Sequence, residues 1–104
     1  MVLNIFNQLF DRHPEQLKAK VEMYTWQLCP YCIRAKILLH WKGAQFTEYK
    51  IDGDTAARAK MAERANGKRS VPQIFINDRH VGGCDELYHL DSQGQLNALL
   101  RETP

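Results

Sequence analysis

The chain has 104 residues, enough for one domain with a single core and too few for two. Its 44% apolar and 25% charged content is that of an ordinary globular protein, and 14 basic against 12 acidic residues leave a net charge of only +2. A basic stripe with interleaved aromatics is missing, and so is a run of roughly 20 apolar residues, so neither nucleic acid nor a membrane is an expected partner.

Residues 1–19 read as a prefix. Val2, Leu3, Phe6, Leu9 and Phe10 recur at helical spacing, which predicts a short amphipathic helix ending near Pro14. The segment lacks a basic start and a small-residue cleavage site, and Asp11 and Glu15 follow it, so it does not read as a targeting peptide.

Residues 20–104 then form the domain proper. Val21 to Trp26 is a β-rich first strand. From Pro30 to about Lys42, Ile33, Ile37 and Trp41 fall four apart on one face with Leu38 alongside, and Gly43 ends the predicted helix. Phe46 to Ile51 alternates apolar and polar as a second strand. Asp52-Gly53-Asp54 turns the chain, and Asp54 caps a helix over Thr55 to Asn66 in which Ala57, Met61 and Ala65 share a side. Val71 to Ile76 reads as a third strand, Asn77-Asp78 as a tight turn and Arg79 to Val81 as a fourth strand. Gly82-Gly83 precedes helices around Asp85–Leu90 and Leu96–Arg101. The order β-α-β-α-β-β-α-α predicts an α/β domain. A helical crossover implies that the first two strands are parallel, and the two-residue turn implies that the last two are antiparallel.

The three cysteines are an odd set, and Cys29 and Cys32 are three apart, which suits a reducing compartment such as the cytoplasm rather than a secreted disulfide scaffold. A zinc site needs about four ligands. Here Cys84, His13, His40, His80 and His89 are scattered, so no metal site is expected. Cys29 instead falls between a strand end and a helix start. There the unpaired N–H groups and the positive end of the helix dipole favour a thiolate, and Pro30 suits the first helical position. Cys32, one turn in, is expected to be the more buried thiol of higher pKa. This is the layout of thiol–disulfide exchange, with Cys29 as nucleophile and Cys32 as resolving thiol.

Three segments then carry a family resemblance: Cys29-Pro30-Tyr31-Cys32, Ser70-Val71-Pro72-Gln73-Ile74-Phe75-Ile76, and Gly82-Gly83-Cys84-Asp85-Glu86-Leu87. Over roughly residues 20–102 the chain resembles a glutaredoxin of the dithiol class, of the short bacterial and cyanobacterial type. The resemblance implies a thioredoxin-like fold, a four-stranded mixed sheet flanked by helices, to which the prefix adds a helical segment. It implies glutathione as reductant, no bound cofactor, glutathione reductase and NADPH upstream, and a monomer that reduces protein disulfides and glutathionylated proteins. It also implies a glutathione cradle. In it Tyr31 packs beside the reacting sulfur, Val71 offers its backbone before a cis Pro72, and Gly83 allows close approach. The helix from Cys84 and Asp85 would meet the γ-glutamyl end, and Lys68 or Arg69 the glycine carboxylate. The family usually carries lysine three residues before the first cysteine, where this chain has Trp26. A carrier of an iron–sulfur cluster and a thioredoxin-type reductase remain as alternatives. Against them stand Cys32 with the rigid Pro30 in the first case, and Pro-Tyr between the cysteines in the second.

Overall fold

The computed structural model describes residues 17–104. The helix predicted in the prefix lies outside the described residues. Four strands, β1 (Val21–Thr25), β2 (Thr47–Lys50), β3 (Gln73–Ile76) and β4 (Arg79–Gly82), form one sheet in the order β2-β1-β3-β4. Among the described residues, four helices, α1 (Pro30–Trp41), α2 (Thr55–Arg64), α3 (Cys84–Ser92) and α4 (Leu96–Arg101), flank the sheet. β1 runs parallel to β2, while β3 is antiparallel to both β1 and β4, so the sheet is mixed as expected. The strands are shorter than their apolar runs. Phe46, Ile51 and Val71 lie just outside them.

Local chemistry explains the turns. Asn77 and Asp78 both adopt positive φ, 51° and 66°, which lets a two-residue loop follow the twist of the β3–β4 hairpin. Asp54 caps α2 by accepting the Ala57 N–H at 3.0 Å. Where the prefix enters the fold, the Ala19 N–H donates to the Leu100 carbonyl at 3.2 Å and the Lys20 N–H to Asn77 Oδ1 at 2.7 Å.

The two sides of β1 bury different chemistry, because alternate residues point to opposite faces. Val21 and Met23 join Ile74 and Ile76 of β3 in an aliphatic core with Ala35, Leu38 and Leu39 of α1, Leu87 of α3, and Leu96 and Leu100 of α4. The opposite face carries Glu22, Tyr24 and Phe75 against α2. Arg64 there forks onto Glu22 at 2.9 and 3.3 Å, donates to the Tyr24 hydroxyl at 3.0 Å, and lies 4.0 Å from the Phe75 ring centroid. Tyr49 of β2 donates its hydroxyl to Glu22 at 2.8 Å, so a buried carboxylate in a strand is fully partnered.

On α1 the apolar stripe is not the side that packs. Ile33, Ile37 and Trp41 do share a face, but it points outward, with exposures of 48%, 51% and 68%. The buried face is Cys32, Ala35, Leu38 and Leu39. Ala35, Leu38 and Leu39 belong to the same buried cluster as Leu87 of α3 and the β1 and β3 aliphatics.

Candidate active site

The sheet topology gathers three distant segments. β1 is antiparallel to β3, and β3 to β4, so the end of β1, the start of β3 and the end of β4 all lie at the same end of the sheet. The loop after β1 leads to Cys29. The loop before β3 holds Val71-Pro72, whose peptide bond is cis. The chain after β4 holds Gly83 and Cys84.

Cys29 is the N-cap of α1. Its sulfur accepts the Cys32 N–H at 3.2 Å, and its thiol lies 3.9 Å from the Val71 carbonyl. The preceding loop is anchored by the Gln27 N–H, which donates to the Asp52 carboxylate at 2.9 and 3.1 Å. Cys29 is 8% exposed and Cys32 fully buried. Both are free thiols, as is Cys84. Burial, helped by the neighbouring Cys29, pushes the Cys32 thiol up to about 12, against a smaller lowering by the Trp26 backbone. Burial also raises Cys84, which offsets the pull of Arg34, so this thiol is held neutral.

Next to Val71, whose carbonyl lies 3.9 Å from the Cys29 thiol, is a recess of about 310 Å³, within the range of small-ligand sites; Cys29 and Cys32 do not line it themselves. It brings together Tyr31, Lys68, Val71, Pro72, Gly83, Cys84 and Asp85, seven of the residues singled out from sequence. Tyr31 is half exposed at the start of α1. Arg69 is not among the lining residues. Its side chain is exposed, and its carbonyl instead accepts the Arg58 Nε–H at 2.9 Å. Gly83 permits a close approach, since a Cβ there would sit 3.2 Å from the Pro72 carbonyl. Gly82 has φ 121°, a conformation that side chains rarely adopt.

Three further lining residues, Ser70, Gln73 and Glu86, escaped the sequence reading. Glu86 accepts the Gly83 N–H at 2.6 Å, closing the first turn of α3. An acidic residue three positions after a helix cap is a readable signal for this. Gln73 bonds His80 at 2.6 Å and Ser70 at 3.3 Å, and Asn66 meets the other ring nitrogen of His80 at 3.2 Å. His80 and Asn66 sit on other segments than Gln73, so no local spacing reveals these contacts. Burial, and then Lys68 nearby, holds His80 below its usual range. A larger recess of about 650 Å³ between β4, α3 and α4 contains no thiol, so size alone does not mark the chemistry.

Known proteins match this arrangement. The family model described as Glutaredoxin matches residues 21–81. A probable glutaredoxin of Synechocystis sp. is 62% identical over 97% of this chain and 95% of its own length. Glutaredoxin 3 of Escherichia coli strain K12 is 54% identical over 80% of this chain and 99% of its own. Among solved structures, a buckwheat glutaredoxin in complex with glutathione superposes with a TM-score of 0.73 at 27% identity, covering 94% of this chain and 89% of that one. With a Cys-Pro-Tyr-Cys pair opening a helix at one end of a thioredoxin-like sheet, and with this sequence kinship, the chain belongs to the glutaredoxin family of thiol–disulfide oxidoreductases.

Proposed function

We propose that this glutaredoxin is a glutathione-dependent reductase of protein disulfides and of glutathione mixed disulfides, working through Cys29 and Cys32. The observation that carries the reading is a polar recess walled by Val71, whose carbonyl lies 3.9 Å from the Cys29 thiol, with Lys68 on one side and the N-terminus of α3 on another. Glutathione is an anionic tripeptide. A cation and the free N–H groups of a helix start are suitable partners for its two carboxylates. The glutathione-bound buckwheat relative supports the same assignment.

In the cycle, the Cys29 thiolate attacks one sulfur of a substrate disulfide. The substrate S–S bond breaks, the departing thiolate takes up a proton, and Cys29 is left in a mixed disulfide. Two routes follow. The Cys32 thiol can lose its proton and attack Cys29, releasing the second substrate thiol and leaving a Cys29–Cys32 disulfide. Where the mixed disulfide is with glutathione, a second glutathione can attack instead, which regenerates Cys29 and releases glutathione disulfide. A thiol as basic as Cys32 attacks only when it is close, and the N-cap geometry places it one turn away. Glutathione reductase and NADPH would return glutathione disulfide to the thiol.

The test is β-hydroxyethyl disulfide reduction coupled to glutathione, glutathione reductase and NADPH. Cys29→Ser is expected to lose activity by at least about 100-fold, as for removal of a nucleophile, while Cys32→Ser keeps the glutathione route. Activity retained in Cys29→Ser would overturn the nucleophile. Wild-type protein inactive with glutathione but reduced by thioredoxin reductase would overturn the donor.

A further inference from the structure

Trp26 joins two parts of the site that the reaction cycle treats separately. Its backbone acts on the Cys32 thiol, lowering it slightly against the rise that burial causes. Its indole ring lies under the Arg58 guanidinium, 5.1 Å from the ring centroid. The indole Nε1–H is buried without a partner among the described residues, so the ring is held by packing and by this stacking. Arg58 reaches in the other direction, donating from Nε to the Arg69 carbonyl at 2.9 Å. That carbonyl belongs to the segment Lys68–Pro72, which leads from α2 into β3 and supplies Lys68, Ser70, Val71 and Pro72 to the recess wall.

We propose that Trp26 and Arg58 are a positioning pair for this wall. The ring fixes the guanidinium, the guanidinium fixes the Arg69 carbonyl, and the Lys68–Pro72 segment is held in the shape that receives a ligand. The proposal rests on the reading that the recess takes glutathione, and extends it to say what shapes the recess. Neither side chain lines the recess, so the pair governs how tightly the glutathione moiety is received and leaves the attack by Cys29 unchanged. The contacts run in series, so losing either member breaks the same linkage. A pair that merely stapled α2 to the loop would shift stability without separating KM from kcat.

The experiment follows turnover of a glutathionylated peptide by wild type, Trp26→Ala, Arg58→Ala, the double variant and Trp26→Phe. Alongside it, hydrogen exchange of the amides from Arg69 to Gln73 is measured with no glutathione present. Each alanine variant is expected to raise KM about 5-fold with kcat within about 2-fold, and the double variant to be no worse than either single one. Trp26→Phe keeps an aromatic face for the cation and is expected to restore the wild-type KM. Amide exchange in the loop is expected to quicken in both alanine variants. Additive KM effects, a fall in kcat at unchanged KM, or unchanged loop exchange would overturn the pair. If wild type fails to use glutathione while loop exchange quickens as expected, the glutathione reading falls and the positioning pair stands.

Discussion

Cys32 carries the clearest electrostatic signature among the three thiols. With its thiol pushed up to about 12, it is ionised at pH 8 to about one part in 10⁴. Cys84 is buried and raised in the same direction. Iodoacetamide at pH 8 is therefore expected to label Cys29 first, to reach Cys32 at least about 100-fold more slowly, and to reach Cys84 more slowly than Cys29, until the protein is unfolded. Peptide mapping by mass spectrometry over time checks this, and equal labelling of all three would contradict it. Gly82 offers a second residue-scale test. An alanine there must hold a positive φ and meets the Glu86 side chain at 2.8 Å. Gly82→Ala is expected to cost about 2 kcal/mol of stability in urea unfolding.

The helices divide cleanly into sides that hold the fold and sides that do not. On α1, Leu39 is fully buried while Ile37 is half exposed, although both are large and aliphatic. Leu39→Ala is expected to cost about 2–5 kcal/mol, as for a buried leucine, and Ile37→Glu to stay within about 0.5 kcal/mol. Equal losses would mean that the helix is rotated from the orientation described. On α2 the corresponding link is Arg64 to Glu22. The Arg64 hydrogen bond, joined by that of Tyr49, outweighs burial and holds the Glu22 carboxyl below its usual range. A depressed carboxylate stabilises fully above the unfolded value of about 4.5, and that contribution fades as pH falls through the folded value. Arg64→Met is expected to lose about 2 kcal/mol at pH 7, between an exposed and a buried pair, and to show a flatter loss of stability below pH 5 than wild type.

At the scale of the whole molecule, the sheet order turns three short motifs into one site. The motifs themselves were legible because each has a local physical cause: a thiol pair at a helix start, a strand preceded by Val71-Pro72, and a glycine pair before an acidic helix turn. The parallel and antiparallel pairings at the two ends of the sheet were also legible, from connection length. The adjacency of β1 and β3 was not, since no short connection joins them. Nor was the outward face of α1. An apolar stripe at helical spacing marks a helix, but α1 has apolar residues on two sides, and only the fold decides which one packs. The roles of Glu22, Gln73 and Arg58 were likewise hidden, because their partners Arg64, His80 and Arg69 come from other elements. In each case the fold brings the partner from elsewhere in the chain.

The central claim is that Cys29, beside the recess, is the sulfur that takes glutathione. The most direct measurement uses Cys32→Ser, which removes the resolving thiol and lets the intermediate accumulate. After incubation with glutathione disulfide, intact mass and peptide mapping are expected to show one glutathione adduct, on Cys29, released again by reduced glutathione. An adduct on Cys84, or none on Cys29, would contradict the account.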